Sequence, residues 1–321
     1  MSGGRMEDIT LALGGGGIKG IAHVGVYQRL LQAGYNIRAV AGTSAGGIAG
    51  SLIAAGYTPD QMADIMSKLD VSSNHMFQRD ASDGPSLLGL RGIADLLDTY
   101  IGDRTFKDLK IPFACTAVDI NRYREVVFNQ GSVKEAVLAT AAFPGVFPPR
   151  QYGDMQLVDG GVLDPVPVSV ARMLSPNLPV VAVCLSPVPE GWGQTPPMKV
   201  PETNPLIKPI IGQFSRLRIA QAFIVFAKSM DTTSHMLAEL RLQIDRPDAV
   251  IRPDVTKWGL IDPVDPDELI HAGIIATDAC LPEIKQANSW ASSLSRRFFR
   301  SAPLPENVIF TDEESLKNTE A

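Results

Sequence analysis

A serine between small residues stands near the start of the chain, in the sequence AGTSAGG. Gly42, Ser44 and Gly46 follow a short apolar run and precede a segment of small residues typical of a helix. This context is that of a nucleophile elbow, in which small neighbours permit a strained turn that lifts a serine hydroxyl above a sheet. Taken alone, the string is equally compatible with a small-residue turn without chemistry.

Four consecutive glycines form a second candidate element, in the stretch LALGGGGIKG. Glycine loses more backbone freedom on folding than any other residue, so we expect these bare amides to face either a phosphate or an oxyanion. Gly15-x-Gly17-x-x-Gly20 matches the dinucleotide fingerprint. That fingerprint also needs an acidic residue for the ribose, and no Asp or Glu lies between Asp8 and Asp60. A P-loop is excluded because no Gly-Lys-Ser or Gly-Lys-Thr follows.

The base that would activate the serine has several candidates. His23 lies among apolar residues of a predicted helix, which indicates a packed side chain, and His75 lies in a polar segment. His235 and His271 fit the chain order of a Ser-Asp-His triad, although neither has the local sequence of an active-site loop. Asp159, in LVDGG, ends a predicted strand and could act on the serine directly. Asp-Gly-Gly taken alone is more often a turn.

Predicted strands and helices alternate along the chain, which indicates a largely parallel sheet covered on both faces. The first strand, Ile9 to Leu13, leads into the glycines and a helix ending at Gly34. The second strand leads into Ser44. Carboxyl ends of neighbouring parallel strands meet at one edge, so we expect the glycine amides beside the nucleophile. Amides so placed would stabilise a tetrahedral oxyanion.

Three helix starts are predicted from capping patterns at 58–61 (TPDQ), 132–135 (SVKE) and 265–268 (DPDE). Each pattern places a side-chain acceptor before the first helical turn. These helices would flank the predicted sheet.

Four segments depart from the alternation of strands and helices. Residues 71–90 read as a long surface excursion of the lid kind, and 187–205 as an irregular Pro-rich insertion. Residues 292–321 read as a flexible tail, which leaves 1–291 as one domain. Residues 206–230 mix apolar and basic residues; they fit a core helix better than a helix in a membrane interface.

The composition excludes several classes of protein. A net charge of −6 and a pI near 5.3, without a basic block, argue against nucleic-acid binding, so a membrane contact would have to be apolar. Three scattered cysteines indicate buried free thiols in a reducing compartment. We find no signal peptide, no membrane span and no ligand cluster for a metal. A cytoplasmic protein without cofactor is therefore predicted.

Four blocks, in the order GGGGIKG, GTSAGG, ATAAFPGVFPP and VDGGVLDPVP, resemble those of the patatin-like phospholipases. The resemblance covers roughly residues 9–186, and RPDAVIRPDV…HAG further resembles the bacterial subgroup. It implies a three-layer α/β fold with a mostly parallel central sheet flanked by helices.

The resemblance also implies roles for single residues. Ser44 would be the nucleophile and Asp159 its base, while Gly15, Gly16 and Gly17 would form the oxyanion hole. In such a dyad the serine attacks an ester and an acyl-enzyme is released by water.

Two further positions follow from the same comparison of motifs. Lys19 occupies the basic position of the family's loop and would bind substrate, and Asp164 stands where many members carry asparagine. The resulting hypothesis is a lipid acyl hydrolase whose partners are a lipid or lysophospholipid and, transiently, the membrane surface. Acyl transfer by the same dyad, and a nucleotide- or lipid-binding module without catalysis, remain open alternatives.

Overall fold

The computed structural model describes residues 6–68, 89–192, 213–260, 262–289, 292 and 308–311. The strands are β1 (Glu7–Leu13), β2 (Tyr35–Thr43), β3 (Phe113–Asp119), β4 (Arg124–Phe128), β5 (Arg150–Tyr152), β6 (Met155–Asp159), β7 (Val180–Val183), β8 (Ala249–Ile251) and β9 (Val308–Phe310). The helices are α1 (Ala22–Gln32), α2 (Ala45–Ala55), α3 (Pro59–Ser67), α4 (Arg91–Tyr100), α5 (Val133–Thr140), α6 (Val168–Leu174), α7 (Gln213–Asp245) and α8 (Pro266–Ala287).

One mixed sheet runs through the molecule in the order β5-β6-β3-β2-β1-β7-β8, with β4 paired to β3. The neighbouring strands β3, β2, β1, β7 and β8 run parallel to one another. In contrast, β6 runs antiparallel to β3, and β5 runs antiparallel to β6. The predicted mostly parallel sheet is thereby confirmed. The antiparallel edge was not predicted, and it places the end of β6 near the end of β2.

Apolar layers cover both faces of the sheet, which confirms the predicted three-layer arrangement. Side chains alternate between the faces along β1: Leu11 and Leu13 join the larger core with α1 and α8, while Ala12 joins the smaller core. That smaller core packs small sheet residues against α6 and against Ala238 and Leu242 of α7. Helix α7 thus lies close to the sheet.

The predicted helix starts are confirmed at all three positions. Thr58 and Gln61 form a reciprocal capping box, with hydrogen bonds of 3.3 and 2.9 Å. Ser132 accepts a bond from the amide of residue 135 at 3.3 Å, and Asp265 caps α8 by accepting the amide of residue 267 at 3.0 Å. Each cap satisfies an N–H group that the helix itself leaves unpaired.

The less regular segments differ from expectation at two places. Val308–Phe310 forms a strand parallel to β4, so the expected absence of structure after residue 292 is wrong there. The described part of the segment predicted at 206–230 is helix, and it continues to Asp245. The lid-like segment lies outside the described residues except for 89 and 90, as do residues 193–205 of the Pro-rich insertion. The three cysteines are buried and free, as predicted.

Candidate active site

Ser44 occupies a strained turn between β2 and α2. Its backbone has φ 54° and ψ −121°, a conformation that is costly for a residue with a Cβ atom. The flanking glycines permit the turn, because a Cβ on Gly42 would lie 2.3 Å from the Gly46 carbonyl oxygen and one on Gly46 would lie 2.0 Å from the Leu13 carbonyl oxygen. The Ser44 amide donates to Thr140 Oγ1 at 2.9 Å. This geometry is that of a nucleophile elbow.

Asp159 ends β6 and is almost completely buried. One carboxylate oxygen, Oδ1, accepts the Gly161 amide at 2.7 Å, while Oδ2 has no hydrogen-bond partner within the part of the chain that the structure describes. Burial raises the pKa of Asp159 to about 6, and the nearby Ser44 side chain and the Gly161 amide offset part of that rise. A buried carboxylate with one open oxygen beside a serine is equipped to accept its proton.

The glycine loop follows β1 and runs alongside the serine. A Cβ on Gly15 would lie 3.2 Å from the Ser44 Cβ, so the two backbones are in contact. The Gly15 amide itself donates to the Pro165 carbonyl at 3.0 Å. Within residues 6–68, 89–192 and 213–260, no acceptor receives the amides of Gly16 and Gly17. Those two amides therefore remain for a ligand.

Ala45 adds a donor that the sequence analysis did not name. As the first residue of α2, it has a backbone amide without an intrahelical acceptor, directly after Ser44. The amide after the nucleophile contributes to the oxyanion hole in other enzymes with such an elbow. The elbow pattern could have identified it.

The four histidines differ in their position relative to Ser44. His23 is buried in α1, where Nε2 lies 2.9 Å from the Gly14 carbonyl oxygen, and burial lowers its pKa to about 4. It is therefore a neutral, packed side chain, as predicted, that holds the start of the glycine loop. His271 is exposed on α8, and His75 lies outside the described residues. His235 faces the same cavity as Ser44.

Lys19, His235 and Asp231 form a polar group in that cavity. The Lys19 ammonium is buried, and no carboxylate lies within 4 Å of it among the residues that the structure describes. Burial lowers the pKa of Lys19, and the charge of Asp231 offsets part of the effect. His235 Nε2 lies 3.5 Å from Asp231 Oδ1, while burial lowers the pKa of His235. An anionic or polar ligand group would stabilise this buried cation.

A cavity of about 530 Å³ connects these groups. Its floor carries Ser44, Asp159 and the glycine loop, and its walls are largely apolar, with Ile93, Phe143 and Trp192 among them. The size suits a drug-sized or single-chain lipid ligand. Residues of α7 between 227 and 235 close one side.

Two negative findings concern only the part of the chain described above. There, no group of three His, Cys, Asp or Glu side chains is arranged to hold a metal ion. No helix there has both the length and the apolar character that crossing a bilayer requires.

Comparison with known sequences gives a family match. The sequence model of the patatin-like phospholipases matches residues 11–172, which contain the glycine loop, the elbow and the Asp159 turn. Two uncharacterised NTE family proteins of Mycobacterium tuberculosis are similar to the chain. One is 32% identical over 184 residues, covering 57% of this chain and 51% of the relative; the other is 31% identical over 279 residues, covering 86% and 46%. The chain spans about half the length of these relatives.

More distant similarities extend to a fungal protein and a solved structure. Lysophospholipase NTE1 of Debaryomyces hansenii is 24% identical over 332 residues, covering 98% of this chain but 20% of that protein. The crystal structure of VipD from Legionella pneumophila superposes with a TM-score of 0.54 at 13% identity, covering 88% of this chain and 67% of VipD. The latter similarity concerns the fold alone.

Proposed function

Since the chain belongs to the patatin-like phospholipase family, we propose that it is a serine hydrolase that cleaves carboxylic esters of lipids with a Ser44-Asp159 dyad. The observation that carries the proposal is the open Oδ2 of buried Asp159 beside the strained Ser44 turn. The similarity to Lysophospholipase NTE1 supports a lipid ester as substrate.

Acylation begins when Asp159 Oδ2 accepts the Ser44 hydroxyl proton and Oγ attacks the ester carbonyl carbon. A carboxylate with an ordinary pKa near 4 is a weak base for this step, and the raised pKa of Asp159 improves the match. The carbonyl π-bond opens to a tetrahedral oxyanion. When that intermediate collapses, the ester C–O bond breaks and the leaving alcohol takes the proton from Asp159.

The oxyanion would be held by the amides of Gly16, Gly17 and Ala45. These donors are fixed by the backbone, so no reorganisation is needed when negative charge develops. Gly15 supports the loop through its bond to Pro165. We therefore assign Gly15 a supporting role and its two successors the donating role.

Deacylation repeats the steps with water. Asp159 removes a proton from water, the hydroxide adds to the acyl carbonyl, and the ester bond to Ser44 breaks as the proton returns to Oγ. An alcohol in place of water would give acyl transfer by the same steps. Product analysis separates the two outcomes.

Substrate binding is assigned to the apolar walls and to Lys19. The acyl chain would lie along the apolar lining of the cavity, and the Lys19 ammonium would contact the polar part of the lipid. A lysophospholipid, with one acyl chain and a charged head group, has this distribution of properties.

Transient contact with a membrane surface is supported by the outer face of α7. Five large apolar side chains are exposed there: Val225, Phe226, Met236, Leu240 and Ile244. Ser229, Thr232, Thr233 and Gln243 are exposed between them, while the exposed charges Lys228 and Asp231 of the same helix line the cavity. A helix face with several exposed apolar side chains can insert shallowly into a lipid surface, whereas the net charge of −6 gives no attraction to anionic lipid. The same helix closes the cavity, so such contact would bring lipid to its rim.

The proposal is tested with a fluorophosphonate probe and a lysophospholipid. We expect one covalent adduct on the wild type, mapped to Ser44 by peptide mass spectrometry, and release of free fatty acid from lysophosphatidylcholine. Ser44→Ala should give neither. Labelling of another serine, or intact lysophospholipid after incubation with folded wild type, would contradict the proposal.

A further inference from the structure

The turn formed by Asp164 and Pro165 contacts both halves of the catalytic machinery. The Pro165 carbonyl accepts the Gly15 amide at 3.0 Å, which fixes the oxyanion loop. The Asp164 carbonyl accepts the Thr43 hydroxyl at 2.9 Å, one residue before the nucleophile. The spacing between Ser44 and the loop therefore depends on where this turn lies.

Arg241 of α7 holds that turn by its side chain. Its Nε donates to Asp164 Oδ1 at 3.2 Å and its Nη2 donates to Oδ2 at 2.8 Å, so the guanidinium binds both carboxylate oxygens. Nη2 also lies 3.4 Å from Ser169 Oγ. Asp164 is completely buried, and the Arg241 side chain is only 12% exposed. A two-point contact of this kind fixes direction as well as distance.

The surrounding charges make Arg241 hard to replace. Its guanidinium also lies 3.3 Å from Asp245 and 3.9 Å from Glu125, so three buried carboxyl groups surround one cation. Burial raises the pKa of Glu125 and that of Asp164. Replacing a buried ion-pair cluster by apolar residues is often neutral or even stabilising, so stability alone does not explain this arrangement.

We propose that Arg241 is a positioning residue of the active site: by holding the Asp164-Pro165 turn, it sets the distance between Ser44 and the amides of the oxyanion loop. The inference rests on the proposed hydrolase function. Arg241 touches no reacting atom and acts through Gly15 and Thr43. Since α7 also closes the cavity, the same contact fixes the substrate wall relative to the catalytic loops.

The expected effect is on the chemical step and not on binding. Small misplacements of catalytic groups cost up to about 100-fold in rate. Arg241→Lys keeps the positive charge but loses the two-point contact. We expect kcat for a soluble p-nitrophenyl ester to fall about tenfold or more, with KM changed less than threefold. The rate of fluorophosphonate labelling should fall in parallel.

A matched control exists on the same helix. Glu239 of α7 forms a partly buried ion pair with Arg252, with Nη2 and Oε1 2.7 Å apart, and among the described residues no hydrogen bond or ion pair joins it to either catalytic loop. Glu239→Gln should lower the melting temperature while kcat stays within twofold of wild type. Equal losses of kcat in both variants at equal loss of stability would overturn the proposal, as would wild-type kcat in Arg241→Lys.

A paired substitution separates positioning from charge. Arg241→Gln leaves three carboxyl groups without the cation, whereas Asp164→Asn with Arg241→Gln puts two amides in the same place. We expect kcat of the double variant to be at least threefold higher than kcat of Arg241→Gln. No recovery would contradict the role of this contact.

Hydrogen exchange provides a readout that needs no turnover. The amide hydrogens of peptides containing Gly15 and Thr43 should exchange faster in Arg241→Lys than in wild type. In Glu239→Gln their exchange rates should equal those of wild type. If folded wild type hydrolyses no ester, the proposed function fails, while exchange still decides the role of Arg241. Unchanged exchange of both peptides in Arg241→Lys would overturn the inference.

Discussion

Two aspartates five residues apart, Asp159 and Asp164, are both buried but have different surroundings. No cation of the described part of the chain pairs with Asp159, which uses one oxygen to cap a turn and leaves the other open next to Ser44. Asp164 has both oxygens bound by Arg241. Burial raises the pKa of both carboxyl groups.

Under the proposed function, the comparison implies that burial alone does not make a carboxylate a base. A base needs an oxygen that no donor occupies and a substrate proton within reach. A carboxylate whose two oxygens are taken by a guanidinium is instead a structural link. The two regions therefore predict opposite responses to substitution.

The largest effect is expected from the proposed dyad of Ser44 and Asp159. Ser44→Ala and Asp159→Asn should each lower kcat/KM for a p-nitrophenyl ester by about 10³-fold or more, and the double variant should lose little further, since the residues act as one unit. Thermal melting verifies that each variant is folded. Near wild-type turnover in Asp159→Asn, combined with inactivity of His235→Gln, would instead assign the base to His235.

A loss of about 100-fold is expected when the donor side of the site is disturbed. Gly17 has φ +60°, and a Cβ there would lie 2.2 Å from the Leu260 carbonyl oxygen, so Gly17→Ala must displace the glycine loop. Gly34→Ala is the control, because Gly34 also has positive φ (+87°) but open space around it. Steady-state kinetics should show the loss in the first variant only. Similar kcat in both would exclude a role for the loop.

The pH profile sharpens the assignment of the base. With the pKa of Asp159 raised to about 6, kcat/KM should be flat above pH 7 and fall about tenfold per unit below pH 6, because the protonated carboxyl group cannot accept the serine proton. His235→Gln should retain this acidic limb. A limb that disappears in this variant would show that His235 titrates, not Asp159.

Stability should change in opposite directions at the two aspartate regions. The pKa of Asp159 in the folded protein exceeds the ordinary aspartate value of 3.8, so its favourable contribution to stability is complete below pH 3.8 and is lost as pH rises through about 6. Asp159→Asn should therefore stabilise the protein at pH 7, by at most about 3 kcal/mol, and have little effect at pH 3.5.

Arg241→Met should instead destabilise the protein by about 3–5 kcal/mol, because it leaves the buried carboxyl groups without their cation. Chemical denaturation at both pH values measures these differences; a less stable Asp159→Asn at pH 7 would refute the comparison.

The smallest effect on soluble substrate is expected from the outer face of α7. Leu240 precedes Arg241 but is 45% exposed, so Leu240→Asp should leave the p-nitrophenyl ester activity within twofold. Binding to zwitterionic phosphatidylcholine vesicles, measured by co-sedimentation, should fall severalfold, since a charge opposes insertion. Leu240→Ser is the control, because it removes the apolar side chain without adding a charge, so vesicle binding should fall less than in Leu240→Asp. Unchanged vesicle binding in Leu240→Asp would exclude this face as the membrane contact.

Motifs with local causes could be predicted from the sequence. The elbow at Ser44 needs small neighbours within two residues, and helix caps such as Thr58–Gln61 join groups three residues apart. Such features depend on nearby backbone geometry, so residue types and spacing reveal them. The alternation of strands and helices likewise predicted the layers of the fold.

Other features needed contacts between distant segments. The hydrogen bond of the Gly15 amide is the clearest case, since its acceptor, the Pro165 carbonyl, lies 150 residues away in the sequence. Local sequence also could not predict whether Asp159 or one of the histidines lies beside Ser44. Arg241 belongs to no recognisable motif. The sequence pattern of a helix does not distinguish an arginine that is buried in an ion pair from one that is exposed to solvent.

The sequence by itself thus determined the elements, the elbow and the bare glycine backbone, all of which arise from interactions along a few residues of chain. Only the tertiary structure decided which groups meet. Antiparallel pairing brings Asp159 opposite Ala117, one residue beyond the Thr116 that pairs with Thr43, and so beside the end of β2. Strand direction and register are set by packing of whole layers, which is why no local pattern specified that Asp159 stays open while Asp164 is bound.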